Sequence, residues 1–113
     1  MPLNDLPMSR ELLLEADLPG TPVSRVEIRR ITMAPNLAPG AHRHNGPVLG
    51  SIVAGAVRFQ VGAGPEQVLR PGDVFHEPAG APITHFDALE DGAVFLGYFP
   101  LEPGLQPEIE MLG

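Results

Sequence analysis

Apolar residues along this chain fall into pieces of about 4 to 8 residues punctuated by Gly, Pro, Asn and Asp, the spacing of short strands joined by turns. The clearest piece runs from Val48 to Val61: VLGSIV leads to Ala54-Gly55 and then to AVRFQV. In the second half Val57, Phe59 and Val61 alternate with Ala56, Arg58 and Gln60, so one face is apolar and the other polar. This pattern predicts a hairpin turning at Ala54-Gly55. Upstream, VSRVEIRRITMA (23–34) puts Val26 and Ile28 in one phase and Ile31 and Met33 in the other, and a bulge near Arg29-Arg30 would bring both pairs to one face. Downstream follow EQVL (66–69), the turn RPGD, VFHE (74–77), the turn PAGAP, ITHFDA (83–88) and AVFLGYF (93–99). The prediction is about eight strands with no convincing helix; RELLLEADL (10–18) is either a short helix by its charge spacing or an edge strand by its leucines, the strand being favoured. The acidic, proline-broken tail LEPGLQPEIEML either wraps the outside of the fold or pairs with a neighbouring subunit.

Eight short strands need covered edges, and a jelly-roll barrel covers them with few residues. A chain of 113 residues is one domain's worth, spanning 1–113. Its 14 prolines and 13 glycines show no fixed period, which excludes repeats. Seven arginines against fourteen acidic residues give a net charge of -7, so nucleic acid is not an expected partner. The absence of lysine removes Schiff-base chemistry, and the absence of cysteine removes thiol nucleophiles, disulfides and thiolate metal sites. No apolar run approaches the length of a membrane span and the N-terminus lacks a basic start, so a cytoplasmic protein with no membrane partner is expected. None of Ser9, Ser24 or Ser51 stands in a nucleophile-elbow pattern.

The remaining chemistry lies with the histidines and one glutamate. His42 and His44 stand two apart in PGAHRHNGPV. On an extended segment both imidazoles leave one face about 6.6 Å apart, close enough to converge on one ion, while Arg43 points the other way. Glu77, beside Pro78, is either an exposed loop-edge residue or a carboxylate inside a low-dielectric cavity. His76 is opposite to it in phase. Asp87 is in phase with His85 and could orient that ring. Arg58 and Gln60 are expected at the surface.

The PG–HRH stretch, Gly55, Gly72-Asp73 and Pro78-Ala79-Gly80 together resemble the two motifs of the cupin superfamily, motif 1 at about 39–55 and motif 2 at about 72–88. The resemblance implies an all-β, single-domain cupin double-stranded β-helix, a jelly-roll barrel. It also implies a metal bound by two histidines and a glutamate of the first motif and one histidine of the second. Two positions depart from that pattern: Val48 stands where the glutamate falls, and Ile83 where the second-motif histidine falls. HRHNGPV with FHEPAG further resembles the three-histidine iron dioxygenases that cleave β-diketones and hydroxyacetophenones, a branch without the first-motif glutamate. In that branch the glutamate matching Glu77 lies beside the metal. His85, two residues past Ile83, replaces the missing histidine if the turn at Gly80-Ala81-Pro82 is lengthened by two, because side chains alternate with period 2. Otherwise it lies one pleat away and Glu77 is the third ligand.

The expectation is therefore a homodimeric cupin binding one divalent metal through His42, His44 and either His85 or Glu77. Iron(II) suits the site best, zinc, nickel, manganese and copper also suit such donors, and no organic cofactor is expected. The implied reaction is oxygenation with carbon–carbon cleavage of a small diketone-like or aromatic ketone substrate, with Glu77 as the base. The alternative is a non-catalytic, metal-poor cupin that binds or senses a small molecule.

Overall fold

Two long strands carry the architecture. The computed structural model describes residues 8–20 and 22–113, and places β1 at Arg25–Met33, β2 at His42–His44, β3 at Val48–Val61, β4 at Gln67–Leu69, β5 at Val74–Glu77, β6 at Ile83–Leu101 and β7 at Ile109–Met111. Strand β3 pairs antiparallel with β6 from Leu49 opposite Tyr98 to Val61 opposite Ile83. Midway, both strands bend. Their first and second halves enter different sheets: β5–β3–β6–β1 on one side, and β4–β3–β6–β2–β7 on the other. This is the double-stranded β-helix arrangement, and among the described residues there is no helix.

The bend corrects the expected hairpin. Ala54 and Gly55 lie within β3, and the ladder shifts register between Ile52 and Ala54 and again between Gly55 and Val57. Each shift leaves unpaired residues that let the strand turn a corner and change which side chains face inward. Val48, Gly50 and Ile52 are buried before the corner, Val57 and Phe59 after it. An alternating strand bent at a glycine looks locally like two strands and a turn. The same merging joins the expected strands 83–88 and 93–99 into β6, while HRH and the tail segment Ile109–Met111 add the short strands β2 and β7, so seven strands form where about eight were expected. Gly55 has φ of 73°, and a Cβ there would meet the Gly92 carbonyl oxygen at 2.0 Å. The two strands touch backbone to backbone at the corner.

Two other expectations change. Strand β1 pairs with β6 without irregularity from Arg25 opposite Leu101 to Met33 opposite Ala93, so there is no bulge at Arg29-Arg30. Ile31 and Met33 face the core while Val26 and Ile28 face out. RELLLEADL forms neither strand nor helix; its partly covered positions Leu14, Ala16 and Leu18 alternate with exposed ones without a ladder. Leu13 lies beside β4, and Leu18 lies beside His76 of β5. The heptapeptide 1–7, on which the reading of the N-terminus partly rests, lies outside the described residues. No helix among them is long and apolar enough to cross a membrane.

Between the sheets, Phe59 and Phe86 of one half meet Phe75 and Phe95 of the other, with ring centroids 4.8 to 5.9 Å apart and tilted or edge-on. Edge-on packing directs positive ring edges at negative faces, a gain beyond area burial. Val57 and Ile83 are fully buried beside them. The tail returns along the outside of its own chain, β7 pairing with β2 at His42 opposite Met111 and His44 opposite Ile109.

Because an L side chain is strained at positive φ and the Cβ would strike backbone, Gly55→Ala is expected to lose about 3 kcal/mol or more of stability in urea unfolding. A loss under about 1 kcal/mol would mean that the corner does not depend on this contact.

Candidate metal centre

Strand β2 is short, but it is fixed on both sides, by Ile83 of β6 and by β7. Extended backbone sends His42 and His44 to the inner face and Arg43 out to Glu110 on β7, at 3.5 Å. The two imidazoles stand edge to face, centroids 5.1 Å apart. His42 is 4% exposed, and its Nδ1 lies 2.8 Å from the Gly40 carbonyl oxygen. A carbonyl only accepts, so Nδ1 carries the proton and the Nε2 lone pair is free.

The third member arrives from the other sheet. Glu77, the last residue of β5, sits directly opposite Val48 on β3. Cross-strand partners have Cβ atoms about 5 Å apart, so the carboxylate is delivered beside the position where the resemblance placed a glutamate. Glu77 is 3% exposed, with Oε2 2.7 Å from His44 Nε2 and 3.9 Å from His42 Nε2. One ligand atom from each of the three residues lies within 4.8 Å of the others, so His42, His44 and Glu77 form a group able to hold a metal ion.

The chemistry of the donors fits a cation. Glu77 Oε2 is buried and has no hydrogen-bond partner, even though His44 Nε2 is near enough to be one. The ring nitrogen is at hydrogen-bond distance without the direction of a hydrogen bond. An ionised carboxylate buried without a partner costs several kcal/mol, and a cation shared with two imidazole lone pairs removes that cost. Two histidines and a carboxylate are also the donor set of non-haem iron(II) sites with open positions.

The structure does not bring His85 to this group. Gln60 pairs with His85 but Val61 pairs with Ile83, so Thr84 is an extra residue on β6. One inserted residue reverses the parity of the strand. Ile83 therefore faces in, 0% exposed, and so do Phe86 and Ala88, whereas His85 and Asp87 face out. There His85 Nδ1 is hydrogen-bonded to Asp87 Oδ2 at 2.8 Å, so Asp87 does orient the ring, on the outer face. Arg58 donates to Glu66 nearby, an exposed pair in which the hydrogen bond holds the Glu66 carboxyl below its ordinary range. His76 also faces away from the metal group, toward the N-terminal segment at Asp17 and Leu18.

The tail, which spacing did not connect to the site, forms its rim. Asn45 donates from Nδ2 to the Gln106 carbonyl and from its backbone N–H to the Glu108 carbonyl, and its Oδ1 accepts from the Glu108 N–H. Inward of this clasp a cavity of about 10 Å³, bordered by His44, Val48, Phe99 and Pro107, has room for about one water. Outward, a cavity of about 280 Å³ opens beside His44, lined by Arg43, Asn45, Gly80, Glu108 and Glu110.

The family model for the cupin domain matches residues 29–96, more than half of the chain, and the chain belongs to that family. No curated protein matches it in sequence. Among solved structures it is similar to a chain of the DMSP lyases RdDddP and RnDddQII, 27% identical over 80% of this chain and 45% of that one, with a TM-score of 0.69. It is also similar to an oxalate oxidase bound to glycolate, 20% identical over 76% of this chain and 45% of the other, TM-score 0.64. A cupin-like protein from Thermotoga maritima is 23% identical over 78% of this chain and 65% of its own, TM-score 0.65. The likenesses to the oxidase and the Thermotoga protein carry the fold alone. The chain spans less than half the length of the lyase and the oxidase.

Elemental analysis is expected to find one divalent metal per chain after reconstitution. His42→Ala and Glu77→Gln should each weaken binding more than tenfold, and His85→Ala should leave it unchanged. At a free metal concentration about 100 times Kd, binding should add about 2.7 kcal/mol of stability, read as a higher melting temperature that Glu77→Gln abolishes.

Proposed function

We propose that this chain is a mononuclear metal cupin acting on a small organic molecule, with His42, His44 and Glu77 holding iron(II) and oxygenative carbon–carbon cleavage of a diketone-like substrate as the reaction. The buried, unpartnered Glu77 Oε2 converging with two imidazole nitrogens carries this reading. A bound divalent ion would supply Lewis acidity and, as iron(II), a route for electrons between substrate and dioxygen.

The chain's own residues set three conditions. The Gly40 carbonyl keeps the His42 proton on Nδ1 and so keeps Nε2 basic. Glu77 gives Oε2 to the centre, which makes it a ligand first; the second carboxylate oxygen is the one that would accept a proton from an acidic carbon between two carbonyls. Inward space near the centre suits a water-sized molecule, so an organic substrate approaches through the cavity beside His44. At that entrance Arg43 is committed to Glu110, and Glu108 adds a further negative charge. Such a rim favours neutral or cationic molecules over dianions like oxalate.

A lyase is the second reading, favoured by the 27% identity to the DMSP lyase chain. It uses the same centre, with elimination in place of oxygenation.

Iron(II)-reconstituted protein is expected to take up oxygen with a β-diketone, and His42→Ala to abolish that uptake. Consumption of DMSP without oxygen uptake would move the assignment to the lyase. Failure to retain metal after reconstitution would leave a cupin that only binds or senses its ligand.

A further inference from the structure

Strand β1 has one edge on β6, and no other described strand pairs with its second edge. It is nine residues long and regular, with no proline, glycine or bulge to discourage pairing. Near its centre two β-branched apolar side chains stand in solvent, Val26 at 54% and Ile28 at 62% exposure. On the opposite face Glu27 lies between two arginines. Arg29 forks onto its Oε1 at 2.7 and 3.1 Å, and Arg25 approaches Oε2 at only 3.7 Å, which leaves that oxygen without a close partner among these.

We infer that this edge pairs antiparallel with the same edge of a second copy of the chain, about a two-fold axis passing through Ile28. In an isologous antiparallel pair, residues directly opposite share a face, so the axis must pass through a residue position. The charges then select the register. An axis at Glu27 sets Glu27 against itself and Arg25 against the partner's Arg29, and an axis at Arg29 or Arg30 sets an arginine against itself. Like charges directly opposite are destabilising. An axis at Val26 leaves only the strand residues Arg25 to Glu27 to pair, and one at Ile31 leaves Val26 and Ile28 uncovered. With the axis at Ile28, residues 25 to 31 of each copy pair. Glu27 then faces the partner's Arg29 twice, Val26 lies along the aliphatic stem of the partner's Arg30, and Ile28 meets its own copy. The four-strand sheet β5–β3–β6–β1 continues into the partner's sheet, and the exposed apolar pair becomes its seam.

The mass of the wild-type chain in solution, read by light scattering on a sizing column at micromolar concentration, is expected to be about 24 kDa, twice the chain's 12.0 kDa. Arg29→Glu and Glu27→Arg each set like charges across the axis and should run as monomers, with the circular dichroism of the wild type and a cooperative melting transition that no longer rises with protein concentration. Mixing the two variants should restore the dimer, because in the mixed pair each arginine at position 27 or 29 meets a glutamate of the other chain. Ile28→Lys, which places two ammonium groups face to face on the axis, should also be monomeric. A monomeric wild type, dimeric single variants, or a mixture that stays monomeric would each overturn the inference.

Discussion

The ladder between β3 and β6 is the constraint from which the rest of the structure follows. Each strand is too long for one flat sheet, and each bends at the same place, where Gly55 and Gly92 bring their backbones into contact. Because the strands bend together, each sheet inherits one half of both. One sheet then recruits β5 onto β3, and the other recruits β2 onto β6. That is what sets Glu77 across the interior from His42 and His44, although no stretch of sequence joins them directly.

The resulting site can be read as a solution to a burial problem. A carboxylate that is 3% exposed would normally be satisfied by backbone N–H groups or an arginine, and Glu77 Oε2 has neither. Its neighbours are two imidazoles, one of which already directs a lone pair inward because its other nitrogen serves Gly40. The His42 lone pair and the Glu77 carboxylate thus turn toward one point, where a cation would satisfy both. Val48 has a corresponding role: a second carboxylate there, directly beside Glu77, would add charge to a pocket already holding one, so the apolar residue accompanies the change in which strand supplies the glutamate.

Much of this was legible in the sequence, and two of the failures share one cause. The turns RPGD and PAGAP, the strand VFHE and the HRH pair all stand where alternation and turn chemistry put them. What alternation cannot register is an odd residue. At Thr84 a single extra residue turned His85 from the inner to the outer face, and at 53–56 similar irregularities made one bent strand look like a hairpin. At β1 the reverse happened. A bulge was expected so that every apolar residue could face in, yet the ladder is regular and Val26 and Ile28 face out. The assumption that apolar means inward was the error, and it concealed the feature that distinguishes this edge. Val48 opposite Glu77 had no local signal at all, since that pairing joins two strands directly across 29 positions of sequence.

The four packed phenylalanines also fix where chemistry can occur. A jelly roll of this size could enclose a ligand, but Phe59, Phe75, Phe86 and Phe95 fill the middle between the two sheets. Polar side chains are therefore confined to the rim near β2, under the tail that Asn45 clasps. A rigid apolar plug behind the centre keeps the ligand atoms in place and lowers the local dielectric, which strengthens the hold of a carboxylate on a cation. The group is thereby approachable only from the face beside His44, along a tail held by three hydrogen bonds to Asn45 and by the pairing of β7 with β2.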